Sequence, residues 1–400
     1  MIQNHRIWFR LLDFKCDNLS IAKPLASGEC QVDDLELGTR DKRGNWVPNA
    51  AALPAPIWHR PFSLGNVIAW LPSFFWPWNA FHLATALLWV FVLIPSWESL
   101  AALSIWNYLY LYGLNAVAIF AFLGVFELRY YIQRAQGTRF KYNAKFPADH
   151  PSDVFWFQSQ NIDNFIRTIF VTVPLWTVVE IVLLWAYANS WAIWLPWGTH
   201  WAWLSFLIVI APAVHEVYFF FLHRLIHTPL LYKWVHSVHH NSINPSPWSS
   251  LSMHPGEGFP YMAEAWLHLL IPSNPLCAYF TLHSVGFGAI NGHLGFEKFE
   301  IGGKAALDSH AYVHYLHHKY FEVNYGGDGL VPLDMLFGTW HDGSKEADER
   351  MKERFRKKRD RMRRRARMSH PEPAARREGA RITNFASGSG GGETSGRNAR

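Results

Sequence analysis

Apolar runs and charged breaks alternate along this 400-residue chain. The first 65 residues are polar and proline-punctuated, without a sustained period, and predict a small or poorly ordered region. Apolar spans follow. Ala80 to Pro95 and Ile105 to Phe126 predict one pair of membrane helices. A charged stretch with Arg129, Arg134, Arg139, Lys141 and Lys145 comes next, and then Ile169 to Tyr187 and Trp203 to Phe221 predict a second pair. A last apolar region, Phe259 to Ile290, is interrupted at residues 271–275 (IPSNP). Each half is short for the roughly 20 residues of a full crossing, so this region predicts a re-entrant helical hairpin.

Basic residues set the orientation. Segments 96–104 and 188–202 hold no Lys or Arg, whereas the N-terminal region, the 127–167 loop and the C-terminal tail each hold several. The positive-inside rule turns those three toward the cytosol. The expected fold is an all-α, multi-pass integral membrane protein. It has about four transmembrane helices, a re-entrant helical hairpin and a cytosolic helical cap rich in histidine. The expected divisions are 1–65, an N-terminal cytosolic region; 66–205, transmembrane helices and a cytosolic loop; 206–343, the histidine-bearing domain; and 344–400, a basic helix and tail.

Composition refines this picture at the ends. The net charge of +6 is concentrated in the tail, where Lys345 to Arg367 is nearly all charged, with acidic and basic residues often three or four apart. That spacing predicts a helix polar on every face, a solvated tail near anionic lipid. The run has almost no aromatic or base-reading residues, which argues against a nucleic-acid partner. Beyond Pro373 the sequence SGSGGGETSGR cannot build a core and predicts disorder. Cys16, Cys30 and Cys277 are scattered and give neither a disulfide framework nor a thiolate metal site. The opening MIQNHRIWFRLLDFKCDN has no apolar core followed by a cleavage site, so no cleaved signal peptide is expected.

The chemistry lies in histidine. HRLIH supplies His223 and His227, HSVHH supplies His236, His239 and His240, and HYLHH supplies His314, His317 and His318. On a helix, positions i, i+3 and i+4 share a face, so each box can aim its imidazoles at one point. The expected topology puts all three boxes on one side of the membrane, and eight imidazoles suffice for two ions of iron, zinc or copper. A zinc-protease reading of HEVYF (His215, Glu216) fails, because Phe219 stands where the second histidine is required. A structural zinc site would favour thiolates, and a transporter would string its ligands along the spans. A non-enzymatic membrane metal-binding protein or transporter is the alternative from a different class.

Taken together, Glu216 with HRLIH, HSVHH, and HYLHHKYFEVNYGG resemble the membrane-bound sterol desaturase and fatty acid hydroxylase superfamily. VPLDMLFGTW (Asp334, Phe337, Gly338, Thr339) is similar to that family's closing signature. PSPWSSLSMHPGEGF is similar to the segment after the second box in sterol C5-desaturases, and GHLGFE, with His293, resembles a separate histidine segment of sterol methyl oxidases and alkylglycerol monooxygenases. The resemblance covers about residues 210–342.

The resemblance implies two iron ions and an O2-dependent oxidoreductase that hydroxylates or desaturates a membrane lipid. It also implies an external electron donor of cytochrome b5 or ferredoxin type. A sterol is the first substrate expected; a fatty acyl, alkylglycerol or ornithine-type lipid is the alternative. The eight box histidines and His293 are the expected metal ligands, with no catalytic residue beyond them. His254, His310 and Glu216 are further candidates for ligation or for supporting a ligand, Glu216 as acceptor for a ligand imidazole. His215, His268 and His283 are read as satisfied polar groups, Arg224 as partner of a carboxylate or lipid phosphate, and Asn324 and Tyr325 as holding the turn after the third box.

Overall fold

The computed structural model describes residues 22–24, 30–147, 151–301 and 304–369. The expectations about the opening segment and the glycine-rich end lie outside those residues. Residues up to 344 form one unit and those from 345 another.

Helices dominate the first unit. Helix α1 (Leu64–Phe75) and helix α2 (Trp78–Leu93) meet at a 42° bend. Ser63 starts α1 by accepting the Asn66 N–H, and Pro77 at the break has no N–H to carry a helix through. Helices α3 (Ile105–Ile132), α4 (Gln160–Ala188) and α5 (Trp197–Ile226) are each long and apolar enough to cross a membrane. Among the described residues there are therefore three candidate spans, or four if the bent pair α1–α2 is one crossing. The sequence places the first span from Ala80; in the structure the helical run begins sixteen residues earlier, at Leu64. Ser104 and Ser159 cap α3 and α4 through Trp106 and Ile162 N–H groups.

The interrupted apolar region forms two packed helical stretches. Helix α6, the run of residues 229–240 after α5, is followed by α7 (residues 255–270) and, after the break, α8 (Pro275–Gly286). Almost every α8 residue is buried, against α2, α4, α5 and the end of α7. This segment is apolar because it fills the protein interior. Gly286 shows how tight the fit is: a Cβ there would stand 2.2 Å from the Trp176 ring of α4. The break is tied down by two backbone bonds, Leu195 N–H to Ser273 O (2.7 Å) and Ser273 N–H to Ile193 O (3.0 Å). Its tip thus meets the Trp-rich segment that leads into α5.

The expectation of an all-α chain needs correction. Among the described residues there are three antiparallel two-stranded pairs: β1 (Ala22–Pro24) with β2 (Cys30–Val32), β3 (Gly38–Arg40) with β4 (Trp46–Pro48), and β5 (Lys298–Ile301) with β6 (Lys304–Asp308). Strands this short, three to five residues, leave too few alternations to be read as a period. The β3–β4 hairpin buries Trp46 against Phe140 and Tyr142. Further on, Ala55 N–H donates to Gly329 O (2.9 Å) and Ala52 N–H to Asp342 O (2.8 Å). Residues 33–58 thereby cover the 138–146 loop and the turn beyond the third box.

The second unit contains one described helix, Lys345–Ser369, polar along its length. Lys352–Glu349 (2.6 Å), Arg356–Glu353 (2.5 Å) and Lys357–Glu353 (3.5 Å) pair at the i,i+3 and i,i+4 spacings seen in the sequence. Such exposed pairs, screened by solvent, contribute little to stability.

Candidate metal centre

Four elements carry the histidines. Helix α5 ends with His223 in its last turn and His227 as its C-terminal cap. Pro229 opens α6, which passes through a wide, π-helical turn at Tyr232–His236 before Ser237–His240. Helix α9 (Tyr312–Tyr320) carries the third box, and a 3-10 segment leaving α8 (Gly288–His293) delivers His293.

Nine imidazoles converge into two groups. His223, His227, His236, His240 and His317 form one; His239, His293, His314 and His318 form the other. Within each group the ligand atoms lie within 4.8 Å of one another. The second and third boxes each divide between the groups, correcting the expectation that three imidazoles of a box share one point, while both histidines of the first box stay together. His236 and His240 enter the first group while His239 enters the second; His314 and His318 enter the second while His317 enters the first. Residues i and i+4 are only about 40° apart around a helix, whereas i+3 diverges from them by about 60–100°. The two helices exchange their i+3 imidazoles.

Contacts inside each group are between Nε2 atoms. In the first they are His223–His236 at 3.0 Å, His227–His317 at 3.1 Å, His240–His227 at 3.2 Å and His317–His240 at 3.0 Å. In the second, His293–His239 stands at 3.1 Å and His318 is 3.2 Å from both His293 and His314. Five of the opposite edges face a protein acceptor. His223 Nδ1 donates to Tyr325 O (2.8 Å), His317 Nδ1 to Val323 O (2.6 Å), His293 Nδ1 to Ala289 O (2.8 Å) and His239 Nδ1 to Ser252 O (3.3 Å). His236 Nδ1 lies 2.9 Å from Glu257 Oε1. A proton held at Nδ1 leaves Nε2 as a lone pair.

Converging lone pairs repel unless a cation lies between them. Two nitrogens bound at about 2.1 Å to one ion stand about 3.0 Å apart at right angles and about 3.4 Å at the tetrahedral angle. The observed 3.0–3.2 Å lies within the span that ligands of one ion would take. Protonation is no substitute. Burial pushes His239 down to about 4, and burial with His239 beside it pushes His293 to about 3. His240, His314, His317 and His318 are held well below the ordinary range by burial first and neighbouring imidazoles second. The donor set, neutral nitrogens without thiolate, suits iron, copper or zinc.

The remaining candidates fall elsewhere. His254 caps α7, its Nδ1 accepting the Gly256 N–H at 3.0 Å. His310 is exposed, at a φ of 59°, outside both groups. Glu216 is buried but accepts the N–H groups of Gly329 and Val331, both at 2.8 Å. It holds the loop after the third box, in place of the expected contact with an imidazole. Arg224 stacks over Phe337 at 4.9 Å. Asn324 pins its turn at φ 53°, its amide bridging Val313 O (3.1 Å) and His341 O (3.0 Å).

Two carboxylates were assigned no role by sequence reasoning. Glu257 stands behind His236. Asp334 accepts Tyr325 N–H (2.9 Å), Gly326 N–H (2.7 Å) and the Thr339 hydroxyl (2.6 Å), fixing the carbonyl that holds His223. Both lie within segments the resemblance singled out, PSPWSSLSMHPGEGF and VPLDMLFGTW, and that was the available signal.

Residues 208–339 match the fatty acid hydroxylase family model. Through this segment the chain is similar to the sterol desaturase and fatty acid hydroxylase superfamily. A Delta(7)-sterol 5(6)-desaturase of Gibberella zeae is 32% identical over 135 residues, 32% of this chain and 39% of that protein. One of Aspergillus fumigatus is 30% identical over 168 residues, 35% of this chain and 49% of that protein. One of Candida albicans is 32% identical over 108 residues, 27% of each chain. The matches thus span less than half of these relatives. No solved structure is significantly similar to the chain.

Proposed function

We propose that this protein is a membrane-bound di-iron oxidoreductase that uses O2 to desaturate or hydroxylate a lipid, with a sterol as first substrate in the manner of the C5(6)-desaturases it resembles. The observation that carries the reading is the pair of all-imidazole groups with inward-facing Nε2 atoms. His223, His227, His236, His240 and His317 would hold one ion, and His239, His293, His314 and His318 the other. Two irons there supply the redox chemistry that lets dioxygen attack an unactivated C–H bond, with two electrons from an external cytochrome b5 or ferredoxin-type donor. The chain's own contribution is orientation: backbone carbonyls fix four ring tautomers, and Glu257 and Asp334 fix a ligand ring and the loop behind another. Burial of all but His227 excludes bulk water. The catalytic face is cytosolic in this reading, at the membrane surface, where a bilayer-dissolved lipid and a soluble donor both have access.

The test is lipid profiling of a host lacking the protein, restored with the wild type or with a His239→Ala, His240→Ala variant. Wild type should restore a more unsaturated or hydroxylated lipid and the variant should not. Reconstitution metal by metal, with reductase and NAD(P)H, separates the alternative: full turnover with zinc alone would rule out an oxygenase.

A further inference from the structure

Apart from the histidine groups, several buried polar atoms on α2, α7 and α8 have no hydrogen-bond partner. His82 on α2 is 3% exposed, and neither ring nitrogen has a hydrogen-bond partner. On α8, His283 Nδ1 meets Thr85 Oγ1 at 3.0 Å, while its Nε2 and the Ser284 hydroxyl meet nothing. Glu264 in α7 is fully buried; its Oε2 lies 2.6 Å from His215 Nδ1 of α5 and its Oε1 is left over. These groups are neighbours. Thr85, which His283 meets, also donates its hydroxyl to His82 O (2.9 Å); the His82 ring lies 3.3 Å from where a Gly288 Cβ would stand, and His82 feels the charge of His215 on α5. A buried polar atom without a partner has lost its hydration and gained nothing in return. Five such atoms lie on three helices, α2, α7 and α8, and with His215 of α5 outline a polar chamber. The chamber is built to receive polar atoms from outside the chain.

Its surroundings indicate from what. A cleft of about 170 Å³ lies between α1–α2, α5 and α8, lined by Phe74, Phe75, Leu83, Ile208, Pro212 and Phe280 among others. Leu83 follows His82 directly, and Pro212 and Phe280 sit one turn before His215 and His283. Phe75 and Val209, also in its lining, are exposed on the flanks of candidate membrane helices, where the surrounding medium is hydrocarbon. Beyond the chamber, the Phe219 ring stands 5.8 Å from His215 and 4.6 Å from His223. An apolar slot, a polar chamber and the metal centre follow one another along a single face of α5.

We propose that this chamber, formed by His82, His215, Glu264 and His283, binds the hydroxyl group of a membrane lipid whose hydrocarbon lies in the cleft. That the lipid is the substrate rests on the function proposed above. A neutral imidazole offers one donor and one acceptor, and Glu264 Oε1 a further acceptor; a hydroxyl can satisfy both kinds at once. The bound hydroxyl would fix the height of the lipid in the membrane relative to the histidine groups.

The experiment measures binding to the full-length protein in phosphatidylcholine nanodiscs, without electron donor. The probes are a radiolabelled sterol alcohol with its 3-methyl ether, and octadecanol with methyl octadecyl ether. At least one alcohol should bind about tenfold more tightly than its ether, since the ether cannot donate. His82→Leu should abolish the preference, and His82→Gln, which keeps a donor and an acceptor, should retain part of it. Equal binding of alcohol and ether in both pairs, or no binding of either alcohol, would mean that the chamber holds only water and would overturn the proposal. So would a folded His82→Leu protein with the preference intact. If both His82 variants fail to fold, the wild-type comparison decides alone. Binding needs no turnover, so hydroxyl preference in a protein without oxidase activity would refute the proposed reaction and leave this site standing. Turnover without preference would do the reverse.

Discussion

Asp334→Ala tests whether the metal centre is positioned from the loop behind it. The Asp334 carboxylate accepts two backbone N–H groups and one hydroxyl at 2.6–2.9 Å and is 4% exposed. Hydrogen bonds to a charged group contribute about 1.5–3 kcal/mol each, and two amides would lose their partner. Allowing for non-additivity and relaxation, the loss of stability should be about 4 kcal/mol, which lowers the melting temperature by about 5–10 °C. The Tyr325 carbonyl that orients His223 moves with the loop, so metal affinity should fall about 10–100-fold as well. Thermal unfolding in detergent and metal content by mass spectrometry after dialysis against graded chelator read the two effects. Thr339→Val, which removes one of the three bonds, should cost about 1 kcal/mol and leave metal content near wild type. An Asp334→Ala protein with wild-type melting temperature and metal content would refute this reasoning.

His293→Ala removes a member of the second group without touching any box, so the protein should bind one ion fewer per chain; retention of both would mean that His293 is not a ligand. Acid should unfold the metal-free protein. His239 and His293 stay neutral down to about 4 and 3, whereas imidazole in the unfolded chain takes a proton near 6.5. Stability should therefore be level above about pH 6.5 and fall below it, by up to about 1.4 kcal/mol per pH unit for each such group. A melting temperature unchanged between pH 7 and 5 would contradict this. His254→Ala should cost about 1 kcal/mol by removing a helix cap and leave metal content unchanged. Truncation after Gly343 should spare iron content and lipid product; loss of iron from the inserted, shortened protein would tie the basic helix to the catalytic fold.

Much of the site was legible because histidine is rare and its spacing carries geometry. All eight box histidines lie in the two groups. His293 could be found only through the resemblance of GHLGFE, since one histidine has no spacing to read. The division of the second and third boxes was hidden, because it depends on how α6 and α9 face each other across two centres. The chamber around His82 was hidden for the same reason: its members come from four separate helices. The apolar run near Phe280 was visible, but hydropathy does not distinguish lipid from the protein's own interior. Glu216 and Glu257 invert the expectation, the first serving a loop and the second facing an imidazole, because a carboxylate's partner is set by tertiary packing.

Helix α5 runs for thirty residues, about 45 Å at 1.5 Å per residue, against a hydrocarbon thickness of about 30 Å. Trp197, Trp201 and Trp203 crowd its first turns, the residue type that settles at headgroup level. The surplus length then falls at the other end, placing His223 and His227 at the far boundary and His215 about 12 Å inside it. In the proposed reaction the lipid arrives sideways from a two-dimensional solution, while electrons and protons arrive from a three-dimensional one. Turnover in vesicles should accordingly follow the mole fraction of substrate in the bilayer and be indifferent to dilution of the whole suspension, whereas the donor should obey its bulk concentration.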